Sequence, residues 1–202
     1  GLVKLLREDG HNITRLDLGG GLGISYECND LPPLPSDYAK MVKRVTEPLG
    51  CRIILEPGRF LVGNAGILVS TVVYIKDGEE RKFLIVDAAM NDLIRPSMYD
   101  AYHEIVPVLE SNEDILLYDI VGPVCETGDS FASNRPITSM KTGDLLAIRS
   151  VGAYGAVMSS TYNTRKLIPE VLVKDDKFAV VRPRPTYEEI INLDHIAPWL
   201  SE

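Results

Sequence analysis

Long apolar runs are missing from this sequence. No stretch approaches the roughly 20 residues that a membrane-spanning helix needs, and none reads as a signal peptide. Basic runs are missing too. With 21 Lys and Arg against 29 Asp and Glu, the net charge of −8 argues against a nucleic-acid partner. Cysteine is scarce: Cys28, Cys51 and Cys125 have no zinc-ligand spacing and cannot all pair, which favours a reducing, cytoplasmic setting. The three histidines, His11, His103 and His195, are scattered, suggest no metal constellation, and read as structural or surface residues. Cys28 and Cys51 read as packing. Internal repeats and low-complexity tracts are absent as well. What is present is a soluble globular composition, 45% apolar and 25% charged, with enough length at 202 residues for one large or two small domains. The first residue is Gly1, compatible with a fragment or a processed chain.

Residues 1–10 read as the end of a helix, with Leu2, Leu5 and Leu6 on one face and Gly10 as its stop. A short strand over 13–18 runs into Gly19-Gly20-Gly21-Leu22-Gly23. Glycine lacks a Cβ, so backbone N–H groups in such a loop can approach an anion closely, which makes the loop a phosphate-cradle candidate. Glycine loops are also ordinary turns, and this spacing fits neither a Walker loop nor a dinucleotide fingerprint. A proline-rich connection over 31–35 leads to Ser36, a helix-cap candidate with Asp37 in the first turn. Tyr38, Met41, Val42, Val45 and Leu49 fall on one helical face, ended by Pro48 and Gly50. A β-branched strand over 52–55 then meets Glu56-Pro57-Gly58-Arg59. Residues 11–59 thus carry the strand–helix–strand rhythm of a parallel sheet or barrel. In a (β/α)8 barrel the loops after the last two strands often build a phosphate site, and these two loops fit there. A whole barrel needs about 250 residues. The alternation stops near residue 65, so only the closing units are expected, the other strands coming from sequence outside these residues.

After Gly66 the pattern changes. Strands are expected over 67–75 and 82–86, with Asp77-Gly78 as a hairpin turn, and over 104–109, 115–124 and 144–151. Residues 87–103 read as polar and irregular, with Asn91, Asp92, Arg95, Tyr99 and His103. A short helix suits 152–163. A closing hairpin is expected over 170–173 and 178–181 around Asp175-Asp176, then a helical turn over 187–191 and a loose tail past Pro198.

The densest cluster of reactive groups is at 117–130, where Cys125, Glu126 and Asp129 follow an apolar run. A lone cysteine is more often a buried small hydrophobe than a reagent. Here Pro123 and Gly128 mark a strand giving way to a loop, and loops on rigid scaffolds carry function.

Five motifs in one order resemble diaminopimelate decarboxylase: Asp17-Leu-Gly-Gly-Gly-Leu-Gly23, Glu56-Pro-Gly-Arg59-Phe60, Arg95-Pro-Ser-Met-Tyr99, Cys125-Glu126-Thr-Gly-Asp129 and Gly152-Ala-Tyr154-Gly155. That family comprises pyridoxal-phosphate enzymes of the alanine-racemase-like fold type. The resemblance covers almost the whole chain, but only the C-terminal half of the family's protein. It implies an α/β plus β fold: closing units of the pyridoxal-phosphate-binding (β/α)8 barrel over 1–65, then a mainly β, sandwich- or barrel-like domain over 66–202. The short helix near 152–163 is expected to pack back on the barrel.

The resemblance also implies roles. Gly20, Gly21, Pro57, Gly58, Arg59 and Tyr154 would surround the cofactor, pyridoxal 5′-phosphate, with Glu56 at its ring nitrogen, where a carboxylate favours the protonated ring. Arg59, Arg95, Tyr99, Glu126 and Tyr154 would hold the substrate, meso-diaminopimelate. The arginines would take its distal carboxylate, because a guanidinium binds a carboxylate bidentately, and Glu126 its distal ammonium. Cys125 would return a proton after CO2 leaves, since a thiol is mostly protonated at neutral pH. In the family, the cysteine and its glutamate act in the other subunit's site, implying a homodimer with composite sites. The product would be L-lysine. The lysine that carries the cofactor belongs to the N-terminal half, and no lysine here lies in a matching motif, so the isolated chain is expected to be inactive. Two rival readings are a sister decarboxylase of basic amino acids or polyamine precursors, and a non-catalytic regulatory or assembly homologue. The Arg95–Tyr99 pair argues against the first, and retention of Cys125, Glu126 and Glu56 against the second.

Overall fold

The computed structural model describes residues 1–27 and 31–200. Cys28 therefore lies outside the described residues. Helix α1 (Leu2–Glu8) opens the chain and stops before Gly10, whose φ of +87° suits only glycine. The expected leucine face is not the one that packs. Leu2 and Leu5 are 70% and 58% exposed, while Val3 is buried.

Strands β1 (Arg15–Asp17) and β2 (Arg52–Ile54) pair in parallel, with Leu16 opposite Ile53. Helix α2 (Pro35–Thr46) connects them. Its N-cap is Leu34, not Ser36; Pro35 takes the first helical position and no side chain caps the helix. Proline's fixed φ and missing N–H suit that position, so the helix starts two residues earlier than a Ser36 cap implies and Ser36 falls inside it. Of the expected apolar face, Val42 is buried, while Met41 and Val45 remain exposed. Helix α3 (Gly58–Val62) begins just past Glu56-Pro57 and ends in a 3-10 turn over Gly63–Ala65.

Six strands form the main sheet: β3 (Leu68–Asp77), β4 (Lys82–Val86), β5 (Ile105–Pro107), β6 (Ile115–Val121), β7 (Ser130–Thr138) and β8 (Leu145–Ile148). Their order is β5-β8-β3-β4-β6-β7, antiparallel except for β4 against β6. The β3–β4 hairpin turns at Asp77-Gly78, where the Gly78 N–H donates to the Arg81 carbonyl at 2.8 Å. Edge strands β5 and β7 approach each other, and Arg135 on β7 donates to the His103 carbonyl at 3.0 Å just ahead of β5. The sheet thus curls towards a barrel. Val72, Leu84, Val86, Ile120, Leu146 and Ile148 are wholly buried on it. Each such side chain contributes about 1.5–3 kcal/mol relative to exposure, so this face is the core.

The strand β7 and a short helix α4 (Arg95–Tyr99) were not anticipated from the sequence pattern. The segment 152–163 is not the expected helix but two 3-10 turns, Ala156–Met158 and Tyr162–Thr164. Tyr154 and Asn163 sit at φ of +60° and +59°, outside helical backbone. Its start nonetheless packs on the end of α3: the Gly152 N–H donates to the Gly63 carbonyl and the Val151 N–H to the Gly66 carbonyl, both at 3.0 Å. A Cβ at Gly152 would strike the Val62 carbonyl. Strands β9 (Glu170–Lys174) and β10 (Lys177–Arg182) form the closing hairpin. Helix α5 (Tyr187–Ile191) follows, capped reciprocally by Thr186 and Glu189. Past Pro198 the tail, expected to be loose, makes a 3-10 turn over Pro198–Leu200. Residues 201–202 are outside the described set.

Candidate active site

The glycine loop and the acidic turn form one surface. Asp17 ends β1 and accepts the Gly19 N–H at 2.8 Å. Gly19 in turn accepts the Glu56 N–H through its carbonyl at 2.8 Å, and the Gly58 N–H donates to the Glu56 carbonyl at 2.8 Å. A Cβ on Gly20 would meet that same carbonyl at 2.5 Å, so only glycine lets the two loops lie this close. Gly21 has φ of +88°. Gly20, Gly21, Glu56, Pro57, Gly58 and Arg59 are therefore brought together. The Glu56 side chain is exposed. Arg59 is half-buried, and its Nε is buried with no hydrogen-bond partner among the described residues. Tyr154 lies beyond the Gly152 junction with α3, half exposed on a left-handed backbone. Such conformations cluster at functional sites.

Arg95 is not a solvated loop charge. It starts α4, is only 9% exposed, and has no carboxylate within ion-pairing distance among the described residues. Its Nη1 donates to His103 Nε2 at 3.0 Å, and its guanidinium lies 5.4 Å from the ring centre of Tyr26. Tyr26 belongs to the segment that leaves the glycine loop, so the loop and α4 touch through this ring. Tyr99 ends α4 and is 61% exposed. His103 is wholly buried, which fits its expected structural role; His11 and His195 are exposed. Among the described residues no group of three His, Cys, Asp or Glu side chains could hold a metal ion.

Cys125 is exposed rather than packed, and so is Glu126. Cys51 is half-buried and accepts from Arg7 at 3.2 Å. Both Cys125 and Glu126 ride on the loop between β6 and β7, shaped by a residue the sequence reading left without a role. Asp129 is 4% exposed; its carboxylate accepts the Val124 N–H at 2.6 Å and the Met90 N–H at 2.7 Å. Gly128 packs against Ser97 of α4, where a Cβ would lie 2.5 Å from the hydroxyl. Tyr162 donates to Glu126 at 3.3 Å. No hydrogen bond or ion pair among the described residues joins Cys125 or Glu126 to Gly20, Glu56 or Arg59.

The segment ahead of α4 is held by buried polar groups instead of a ladder. Asp92 accepts the Ala89 N–H at 2.9 Å, and Arg165 donates to Asn91 at 2.9 Å and to the Asp87 carbonyl at 2.6 Å. Burial pushes the Asp92 carboxyl up from its ordinary range, against the Ala89 bond and the nearby Arg165. Asp87 goes the other way: its bonds from Ser70 and Thr71 outweigh burial and hold it low. Burial likewise pushes His103 down, helped by Arg95 and Arg135 and opposed by the bond to the Arg149 carbonyl. Asn91, Asp92, His103 and Asp129 were the residues to find. Their signal was polar side chains crowded into a segment flanked by strongly apolar strands.

This curled sheet is that of a known enzyme class. Residues 17–152 match the family described as the C-terminal sheet domain of pyridoxal-dependent decarboxylases, and the chain belongs to that family. Among its relatives, the diaminopimelate decarboxylase of Zymomonas mobilis is 50% identical over 201 residues, covering 98% of this chain and 47% of that protein. A crystal structure from Aquifex aeolicus superposes with a TM-score of 0.91 at 47% identity, over 95% of this chain and 48% of its own. The Helicobacter pylori diaminopimelate decarboxylase complexed with L-lysine gives 0.88 at 40% identity, over 95% and 47%. The chain spans about half the length of the curated relatives it matches.

Two outcomes follow from this geometry. Asp129→Ala leaves the Val124 and Met90 N–H groups without their acceptor, and the expected loss is about 3 kcal/mol, read as a lower urea midpoint. An unchanged midpoint would show that the carboxylate does not hold the loop. His103, with its pKa below the ordinary value of about 6.5, stabilises the fold above that value and loses this contribution as pH falls through its folded pKa. Stability of the chain should therefore drop on the acid side of about pH 6.5, and less steeply in His103→Gln. Parallel acid limbs in the two proteins would rule His103 out as the titrating group.

Proposed function

We propose that this chain works as the C-terminal half of a diaminopimelate decarboxylase, converting meso-diaminopimelate to L-lysine and CO2. In this reading residues 1–65 complete a (β/α)8 barrel begun by an N-terminal half, and residues 66–202 form the mainly β domain. The assembly is a cytoplasmic homodimer. Among the described residues no helix is long and apolar enough to cross a membrane. The N-terminal half supplies the lysine that carries the cofactor.

The observation that carries the proposal is a pair of arginines in want of an anion. Among the described residues, Arg95 is buried without a carboxylate and Arg59 has a buried Nε without a hydrogen-bond partner. Burying a guanidinium costs several kcal/mol unless it is paired and hydrogen-bonded. The distal carboxylate of the substrate and the phosphate of the cofactor are anionic groups of that kind.

The residues fit pyridoxal 5′-phosphate: a glycine loop packed to within Cβ distance of the Glu56 carbonyl leaves amides open to an anion, beside the unpartnered Arg59 Nε. When bound, that cofactor supplies a ring able to accept the electron pair left as CO2 departs. Gly20 and Gly21 would offer N–H groups to its phosphate, with Gly58 and Arg59 nearby and the Tyr154 hydroxyl as a further donor, and Glu56 would pair with its ring nitrogen. Arg59 and Arg95 hold the substrate's distal carboxylate, with Tyr99 as a further donor, and Glu126 meets the distal ammonium. This grip fixes which end of the substrate reacts. Cys125 of the opposite subunit moves the proton from its Sγ to the carbon that has lost CO2, and solvent restores the thiol.

In the enzyme assembled with its N-terminal half, Arg95→Ala should raise KM for diaminopimelate roughly ten- to hundredfold. A competing ligand without the distal carboxylate should bind as before; equal weakening of both would reject the clamp. Cys125→Ala should keep cofactor absorbance while kcat falls on the order of a hundredfold or more. Normal turnover would remove the thiol from the reaction.

A further inference from the structure

Arg95 is gripped by a group chosen for what it lacks. Arginine can only donate, so the 3.0 Å bond from Nη1 makes His103 Nε2 the acceptor. The ring proton then resides on Nδ1, which donates to the Arg149 backbone carbonyl at 2.9 Å. That carbonyl is itself fixed at the end of β8, where the Arg149 N–H donates to the Glu104 carbonyl at 2.8 Å. Tyr26 closes the arrangement, meeting the imidazole edge-on with ring centres 5.7 Å apart while the guanidinium lies over its face. A guanidinium is usually oriented by a carboxylate, which also neutralises it. A neutral imidazole orients without neutralising, and no carboxylate among the described residues pairs with Arg95, so its positive charge stays available to a ligand.

We propose that His103 is a positioning residue for Arg95, aiming an un-neutralised guanidinium at the substrate's distal carboxylate and thereby setting the enzyme's selectivity for a dicarboxylate. This rests on the clamp reading given above. It goes beyond that reading by assigning the specificity to a buried residue that never touches the substrate. The charged and titratable groups around the ring are the Arg95 guanidinium from α4, the Arg135 guanidinium from β7, Arg149 with its ion-paired Glu104 at 2.7 Å, and the Tyr26 phenol. Protonating the imidazole would turn the acceptor into a donor and set two cations face to face.

The test uses the full-length enzyme with cofactor and compares wild type with His103→Leu, His103→Gln and Arg95→Ala. His103→Leu should raise KM for diaminopimelate about tenfold, the worth of one charge-assisted bond, with kcat within a few-fold. Inhibition by D-lysine, which lacks the distal carboxylate, should not change. His103→Gln, which keeps an acceptor oxygen, should recover most of the loss. It should also flatten the rise in KM expected for wild type on the acid side, because an amide does not titrate there. If Arg95→Ala is selective against the dicarboxylate while a folded His103→Leu matches wild type, the positioning role is overturned and the clamp survives. If Arg95→Ala shows no selectivity, the clamp itself has failed. Should His103→Leu not fold, the decision passes to His103→Gln: a KM–pH profile that overlays wild type overturns the proposal.

Discussion

A positive charge has been taken out of water with no counter-charge among the described residues, and much of the described site can be traced to that fact. For Arg95 the compensations among the described residues are one bond to an imidazole and one aromatic face. A hydrogen bond to a charged group returns about 1.5–3 kcal/mol and a cation–π contact about 0.5–2. The effective cost of burying an ion is several kcal/mol. The two sides come close without closing, so the site gains most from an anionic partner. A carboxylate from the chain would have settled the electrostatics and abolished the preference.

Such a group must be held by something stiffer than the loops that flank it. The segment between β4 and α4 has no ladder, yet it is tied on three sides: Asp129 takes the Met90 N–H, Asp92 takes the Ala89 N–H, and Arg165 reaches Asn91 and the Asp87 carbonyl. Asp129 also shapes the loop of Cys125 through the Val124 N–H. One buried carboxylate thus sets the position of the thiol-bearing loop relative to the helix that carries Arg95 and Tyr99. A displacement of either would be transmitted to the other, because buried polar networks are costly to leave half-satisfied.

The regular parts of the fold were legible because their periods were. Alternation over β3 and β4, the Asp77-Gly78 turn, the parallel β1–β2 pair and the β9–β10 hairpin follow from local chemistry that each segment carries alone. Strand β7 was not legible: Asn134 at φ of +52° and Pro136, which lacks an N–H, are poor strand residues. Asn134 is tolerated because the register against β6 shifts beside it, and Pro136, still opposite Leu117, because β7 is the last strand in the sheet order, where a missing N–H is tolerated. The helix over 152–163 was misread because small residues permit a helix without requiring one, and tertiary packing of Gly152 on the end of α3 decided the backbone. At the candidate site, the glycine loop, the acidic turn and the exposed loop of Cys125 could be located from spacing. The pairing of Arg95 with His103 could not, since it joins two elements through burial alone.

The first 65 residues make a different kind of statement about context. A two-stranded sheet is at best marginal in water, and β1 pairs only with β2 among the described residues. Leu61 at 69% exposed, Val45 at 59% and Leu5 at 58% lie on the helices around that small sheet. Apolar side chains exposed one at a time are ordinary, but several spread over consecutive elements that flank an uncovered parallel pair form a surface built to be buried. Parallel strands occur almost only with both faces covered. In the function proposed above, an N-terminal half would add strands beside β1 and β2 and pack on α1 to α3, the same contact that would bring a cofactor to the glycine loop. Folding of this segment and assembly of the cofactor site are, in that view, one event.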